Sequence, residues 1–470
     1  MGFCRKKNPT LSAMGFCTRL TNQLMLKRIK NDPIRKNIVA SPLSVNAVLN
    51  MVVAGSTGGT LTRMLGLLGS KTIDEINSES AKMMAVAADG GCGSSENAGN
   101  GPILTMVYGV WADKRYPLVP KYKEEILKGI FKCEANNVDF ETKGDQAVVG
   151  EINSWAYKAS RGLIKEFLHK DYWVVVVEGR FRCWLYGAPY RIAGVLVLNN
   201  GISMQGHQAV CEINSWADKA SRGLIKQVVH SVDPKTALVL ANGLYFKGLW
   251  HSRYKFDATE TRDRKFYLLD GSNVLVPFMT SGKKYFYGSF DGFKVLKIPY
   301  GQSGKSNRFA MYFFLPDERD GLQNLLQEFD SDSGFPNREK FMLREEMLDE
   351  FWIPKFKFSF DFDVSKVMDG MGEPLSFIDN PIDLSQMMNN TEHLEYFETN
   401  ILQKAYIDVD EKGTKAVAVT NMGFGGSMPL PKVLKRYSFV ADHPFLFMIV
   451  EEESGFVFFA GAVLDPNKRT

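Results

Sequence analysis

An α+β fold with large β-sheets is the class this sequence predicts, and three observations predict it. Helical periodicity marks 42–55 and 72–89, strand-like apolar segments crowd the chain beyond position 237, and only two short helical interruptions break that β-rich half. With 470 residues, 45% apolar and 23% charged, the chain has the length of one large domain or of two to three ordinary ones.

In chain order, Pro42 opens the apolar stretch PLSVNAVLNMVVAG directly after Ser41. Ser is a good N-cap and Pro is tolerated at the first helical position, so a buried helix is expected. Residues 72–89 read as a second helix that ends in the loop sequence GGCGSSENAGNG. Residues 103–113 and 131–140 read as strands flanking a helix over KYKEEILKGI. Six further strands follow, over 236–246, 295–300, 310–316, 353–362, 445–452 and 456–464, with helices near 320–328 and 363–370.

The chain also contains a duplication. EINSWAYKASRGLIK at 151–165 returns as EINSWADKASRGLIK at 212–226, and only Tyr157 against Asp218 differs in the fifteen positions. Repeat arrays need at least three units, so two copies mark a local duplication. Ile152, Trp155, Ala156, Ala159 and Leu163 stand at helical spacing, which makes each copy one amphipathic helix. Residues 168–208 lie between the copies without clear periodicity and read as inserted material.

Several function classes lose support. A formal net charge of +4 is small for this length and indicates neither a nucleic-acid groove nor a membrane surface. The longest apolar runs are far too short to cross a bilayer. Six scattered cysteines form no CxxC pair, and no two of the six histidines have metal-ligand spacing, so no metal site and no cofactor is expected. GQSGKS at 301–306 mimics the end of a phosphate-binding loop, but Pro299 falls where its first glycine would stand. Asp442 and His443 are adjacent and would point to opposite faces of a strand, so a turn is the better reading than a catalytic pair. No catalytic residue is assigned. The N-terminus lacks an apolar core of signal-peptide length, which leaves 1–20 as a flexible tail and a cytoplasmic location as the expectation.

The most informative stretch is EKGTKAVAVT at 411–420. Glu411, Gly413, Thr414, Ala416, Ala418 and Thr420, followed by a variable segment and then FVADHPFLFMIVEEESGFVFFAGAVLDP, resemble the hinge, reactive loop and C-terminal strands of the serpins. The resemblance extends through NIVASPLSV at 37–45, LANGLYFKGLW at 240–250, FYLLDGSNVLVPFMTS at 266–281, DGFKVLKIPY at 291–300, AMYFFLPD at 310–317 and IPKFKFSF at 353–360. The wording of these motifs is similar to plant serpins of the Z type. It implies one serpin domain over 1–470, with a large central mixed sheet, further sheets and about eight to nine helices, and with hinge and reactive loop at 411–438.

Further expectations follow from the resemblance. A serpin offers its reactive loop as bait, and the cleaved loop enters the central sheet as a new strand with the protease attached. Counted as the family counts it, the bait bond is Ser427–Met428, beside Phe424, Gly425 and Gly426. The small bait implies a serine or cysteine protease that prefers small residues, and its glycines raise the ordering cost of docking. Thr414, Ala416, Ala418 and Thr420 share one face and are small enough to pass beneath a packed sheet. A non-inhibitory binding or storage serpin is the alternative. A monomer is implied, and an extracellular location is also open. Ser41, Ser44 and Asn242 match a polar network beneath the sheet, in which Gln403 stands where most serpins have a histidine. Both residue types donate and accept hydrogen bonds.

Overall fold

In the computed structural model, the described residues are 9–31, 36–90, 102–138, 214–216, 238–301, 308–331, 341–373, 381–393, 399–413 and 437–468. Three sheets carry the fold. The first has seven antiparallel strands in the order β1 (Ile38–Ala40), β16 (Val457–Val463), β15 (Phe445–Glu451), β9 (Phe309–Pro316), β8 (Phe293–Pro299), β7 (Lys284–Phe290) and β10 (Arg344–Met347). Strands β9, β15 and β16 are buried almost throughout, so they read in the sequence as unbroken apolar runs. A four-stranded sheet follows the order β14 (Ser438–Val440), β11 (Glu350–Pro354), β6 (Asn273–Met279) and β5 (Arg262–Tyr267).

The central sheet has the order β12 (Phe356–Asp363), β13 (Thr399–Val409), β4 (Leu238–Lys247), β2 (Ile103–Asp113) and β3 (Glu134–Val138). It is mixed, because β13 runs parallel to β4 and β2 parallel to β3 while the other two pairs are antiparallel. Strand β12 shows the period of a half-buried strand, with Phe356, Phe358, Phe360 and Phe362 inside and the intervening residues outward.

Helix α2 (Pro42–Ala54) sits against both large sheets and is buried on all sides, as its nearly unbroken apolar sequence requires. The Ser41 side chain accepts from Ser44 N–H at 3.1 Å and caps it. Helix α3 (Gly58–Leu68) ends on Gly69, whose left-handed φ of 70° closes the last turn, and α4 (Ile73–Gly90) packs on α2. The segment expected as an ordinary helix winds as a π-helix over Tyr122–Ile130, and Phe131 N–H reaches back five residues to the Ile126 carbonyl.

One expectation needs correction. The flexible tail placed over 1–20 is a helix from Pro9 onward, because α1 (Pro9–Asn31) buries Phe16, Cys17, Leu20 and Leu24 on one face. Asp442 and His443 lie outside the strands, as the turn reading expects, and their side chains meet at 2.8 Å between carboxylate and Nδ1, while Nε2 meets the Pro316 carbonyl at 2.9 Å. The ring is thereby fixed as a structural link into β15. The loop at 91–101, the first repeat copy and the inserted segment 168–208 lie outside the described residues.

Candidate functional site: the hinge turn and the row beneath the sheet

Strands β13 and β4 are joined in parallel register from Thr399 opposite Leu238 to Ala405 opposite Leu244. Above that point they part company. Residues Tyr406–Val409 pair only with β12 and Tyr245–Lys247 only with β2. Trp250 stands at this opening. Its indole N–H donates to the Asp410 carbonyl at 2.9 Å, and its ring stacks on Tyr300 with centroids 4.7 Å apart. A buried indole needs such a partner for its one polar group.

The segment expected to be the hinge begins with a tight turn over Asp410–Gly413. Asp410 N–H donates to the Gly413 carbonyl at 2.8 Å, Gly413 N–H returns to the Asp410 carbonyl at 3.2 Å, and the Asp410 side chain accepts from Lys412 N–H at 2.8 Å. The turn rests on the extension of β4: Trp250 N–H donates to the Lys412 carbonyl at 3.0 Å, and Gly413 forms an antiparallel bridge with Leu249. Gly413 has φ 132°, and a Cβ there would collide with the Gly248 carbonyl oxygen and stand 2.7 Å from Leu249 Cα. Only glycine fits.

Glu411 anchors the turn to the neighbouring sheets. Its carboxylate accepts from the Thr261 hydroxyl at 2.7 Å and from Lys355 Nζ at 2.9 and 3.1 Å. Burial pushes its ionisation upward, but the hydrogen bonds from Thr261 and Lys355 outweigh that and hold the carboxyl below its ordinary range. Asp410 shifts the other way, raised chiefly by burial. Among these partners, Lys355 and Trp250 lie inside motifs visible in the sequence, but nothing local marked them, or Thr261, as contacts of Glu411 and its turn.

Lower in the sheet, Gln403 of β13, Asn242 of β4 and Tyr108 of β2 stand abreast in register. All three are buried. The Gln403 amide clasps the backbone of Ser41: Ser41 N–H donates to Oε1 at 2.7 Å, and Nε2 donates to the Ser41 carbonyl at 3.0 Å. Ser44 lies beside the Tyr108 hydroxyl, whose ionisation burial drives strongly upward. The four residues singled out in the sequence, Ser41, Ser44, Asn242 and Gln403, are thus gathered between the central sheet and the start of α2. Tyr108 joins them unforeseen, because its position in β2 reveals no partner.

On the opposite face, Trp111 lies flat over Gly109, where a Cβ would overlap its ring. Trp216, in the second repeat copy, meets Trp111 edge to face with centroids 5.0 Å apart, and Asn214–Trp216 are helical. Thr414, Ala416, Ala418 and Thr420, and the residues expected to form the bait, Phe424, Gly425, Gly426, Ser427 and Met428, lie outside the described residues. Among the described residues no cluster of side chains could hold a metal ion, and no helix is long and apolar enough to cross a membrane.

Comparison with known proteins agrees with this geometry. The family model described as serpin (serine protease inhibitor) matches residues 13–174 and 201–466, and the unmatched interval falls within 168–208. Serpin-ZX of Arabidopsis thaliana is 36% identical over 435 residues, covering 92% of each chain, and Serpin-ZX of Hordeum vulgare is 34% identical over 92% of this chain and 90% of its own. A solved structure, Arabidopsis AtSerpin1 in its native stressed conformation, aligns with a TM-score of 0.68 at 32% identity, covering 98% of this chain and 99% of that one. On a match of this extent, the chain belongs to the serpin family.

Proposed function

We propose that this serpin inhibits a serine or cysteine protease by loop cleavage, loop insertion into the central sheet and covalent trapping. The protease hydroxyl or thiol attacks the Ser427 carbonyl, the amide bond to Met428 breaks, the Met428 nitrogen takes the proton, and an acyl-enzyme remains on Ser427. Insertion of 414 onward then carries the acylated protease away before water can release it.

The observation that carries this reading is the double pairing of Gly413. It is bridged in antiparallel sense both to Leu249 and to Asp410, and those two residues stand at the same offset as every paired position of β4 and β13. A strand continued from Gly413 therefore enters between β4 and β13 in register with both. Thr414 comes opposite Val409, Ala416 opposite Ile407, Ala418 opposite Ala405, and Thr420 opposite both Gln403 and Asn242. Val409, Ile407, Ala405 and Gln403 are all buried on the inward face. The four small hinge residues thus fall where overpacking would cost about 1–3 kcal/mol per oversized side chain. A strand of roughly ten ladder bonds at about 0.5–1.5 kcal/mol each would release on the order of ten kcal/mol.

The glycine-rich bait favours a second reading, a non-inhibitory serpin or one cleaved as a substrate, because Gly425 and Gly426 must be ordered in the protease cleft. Incubation with elastase-like, chymotrypsin-like and papain-like proteases decides between them. The inhibitory reading expects an SDS-stable adduct, and clean cleavage without adduct at every ratio refutes it. Thr414→Arg, which would bury an unpaired charge at several kcal/mol, should fold normally and turn inhibitor into substrate.

A further inference from the structure

Strand β10 closes one end of the seven-stranded sheet, and among the described strands it pairs with β7 alone, from Arg344 opposite Tyr287 to Met347 opposite Lys284. Its other edge carries backbone donors and acceptors of the kind by which a sheet recruits a further strand. Met342, just before the strand, and Met347, at its end, are 80% and 50% exposed. Charged residues on an edge commonly keep other strands away. Here their order favours one partner, a second copy of the same strand. Arg344 and Glu346 share one face of β10, and Leu343, Glu345 and Met347 share the other.

We propose that β10 is a self-association edge, which pairs antiparallel with β10 of a second copy of this chain about a two-fold axis at Glu345. An axis normal to the sheet keeps the two faces continuous, so the axis must pass through a residue and not between two. At 344 it would set Arg344 against its own copy, and at 346 it would do the same to Glu346. At 345 it sets Arg344 opposite Glu346 of the second copy, twice by symmetry, and Leu343 opposite Met347 of the second copy. Opposite charges across a strand pair attract and like charges repel, so this register is the one selected. Glu345 then faces its own copy, but its charge is already met by Arg253 at 3.3 Å and by the Tyr254 hydroxyl, which donates to it at 2.8 Å. The contact is short and its charges are near water, so the dimer is weak and salt-sensitive. It departs from the monomer that the family resemblance implies.

The test is light scattering after size exclusion, on the full chain at low salt from micromolar to submillimolar concentration. The wild type should pass from monomer to dimer across that range. R344E and E346R should each weaken the dimer about ten-fold, because each sets two like charges face to face. An equimolar mixture of the two should restore it, since a chain with two glutamates then meets a chain with two arginines, and R344E/E346R in one chain should do the same. A second measurement does not depend on charge: E345C should form a disulfide-linked dimer under mild oxidation, because residue 345 meets its own copy at the axis, whereas E350C, exposed on β11, should not. A wild type that stays monomeric throughout, single reversals that leave association unchanged, a mixture no stronger than its components, or an E345C that links no better than E350C overturns the proposal.

Discussion

Replacing Gly413 with alanine measures how tightly the hinge turn is built against β4. At φ 132° an L-residue is strained, at about 1–3 kcal/mol. The new methyl would also overlap the Gly248 carbonyl and lie 2.7 Å from Leu249 Cα and from Trp250 N. These are backbone atoms of a sheet extension and cannot rotate aside. The turn must lift, and the 3.0 Å bond from Trp250 N–H to the Lys412 carbonyl is lost at about 1 kcal/mol. A total of about 2–4 kcal/mol follows, a large share of a net stability of roughly 5–15 kcal/mol. Urea unfolding followed by tryptophan fluorescence, which reports on Trp250, reads the loss. Gly271→Ala is the control: its φ is 83°, but nothing lies within 4 Å of the added methyl, so only the conformational cost applies. If G413A falls within about 0.5 kcal/mol of the wild type, or costs no more than G271A, the turn is not clamped and the argument fails.

Gln403→Leu should cost about 2–4 kcal/mol, because it leaves the buried Ser41 N–H and carbonyl without their side-chain partner; an unchanged urea midpoint would show that the clasp carries no weight. Because the folded Glu411 carboxyl titrates below its ordinary value of 4.5, its contribution is complete above that value and fades as pH falls through the lower folded one. Glu411→Gln should therefore be less stable than the wild type at pH 7 and draw level with it as the pH falls below the depressed folded value, and a deficit that persists in acid would assign the effect to packing. Trp216→Ala should cost about 1–3 kcal/mol through its contact with Trp111 and Trp155→Ala less than about 0.5, whereas the reverse order would place the first repeat copy on the sheet.

Much of the architecture was legible in order along the chain. Apolar alternation marked β12, unbroken apolar runs marked β9, β15 and β16, and Ser41-Pro42 marked the start of α2. The smallness of Thr414, Ala416, Ala418 and Thr420 was equally plain, since residue size and a period of two are local properties. Helix α1 is also written in the spacing of Phe16, Leu20 and Leu24, which share one buried face.

What tertiary structure alone decided are the partnerships. Gln403 meets Ser41 from 362 positions away, Trp250 reaches Asp410 across 160, and Glu411 finds Lys355 and Thr261 in two different loops. Sequence distance carries no information about such pairs, because they are fixed by which strands neighbour one another and in what register. The sequence by itself determined a hinge of small residues and an amide able both to donate and to accept. Folding decided that the amide grips the first turn of α2, and that Gly413 already stands in register with the two strands between which the hinge would pass. A hydrogen bond depends on distances of a few tenths of an ångström, and only the assembled sheet sets those.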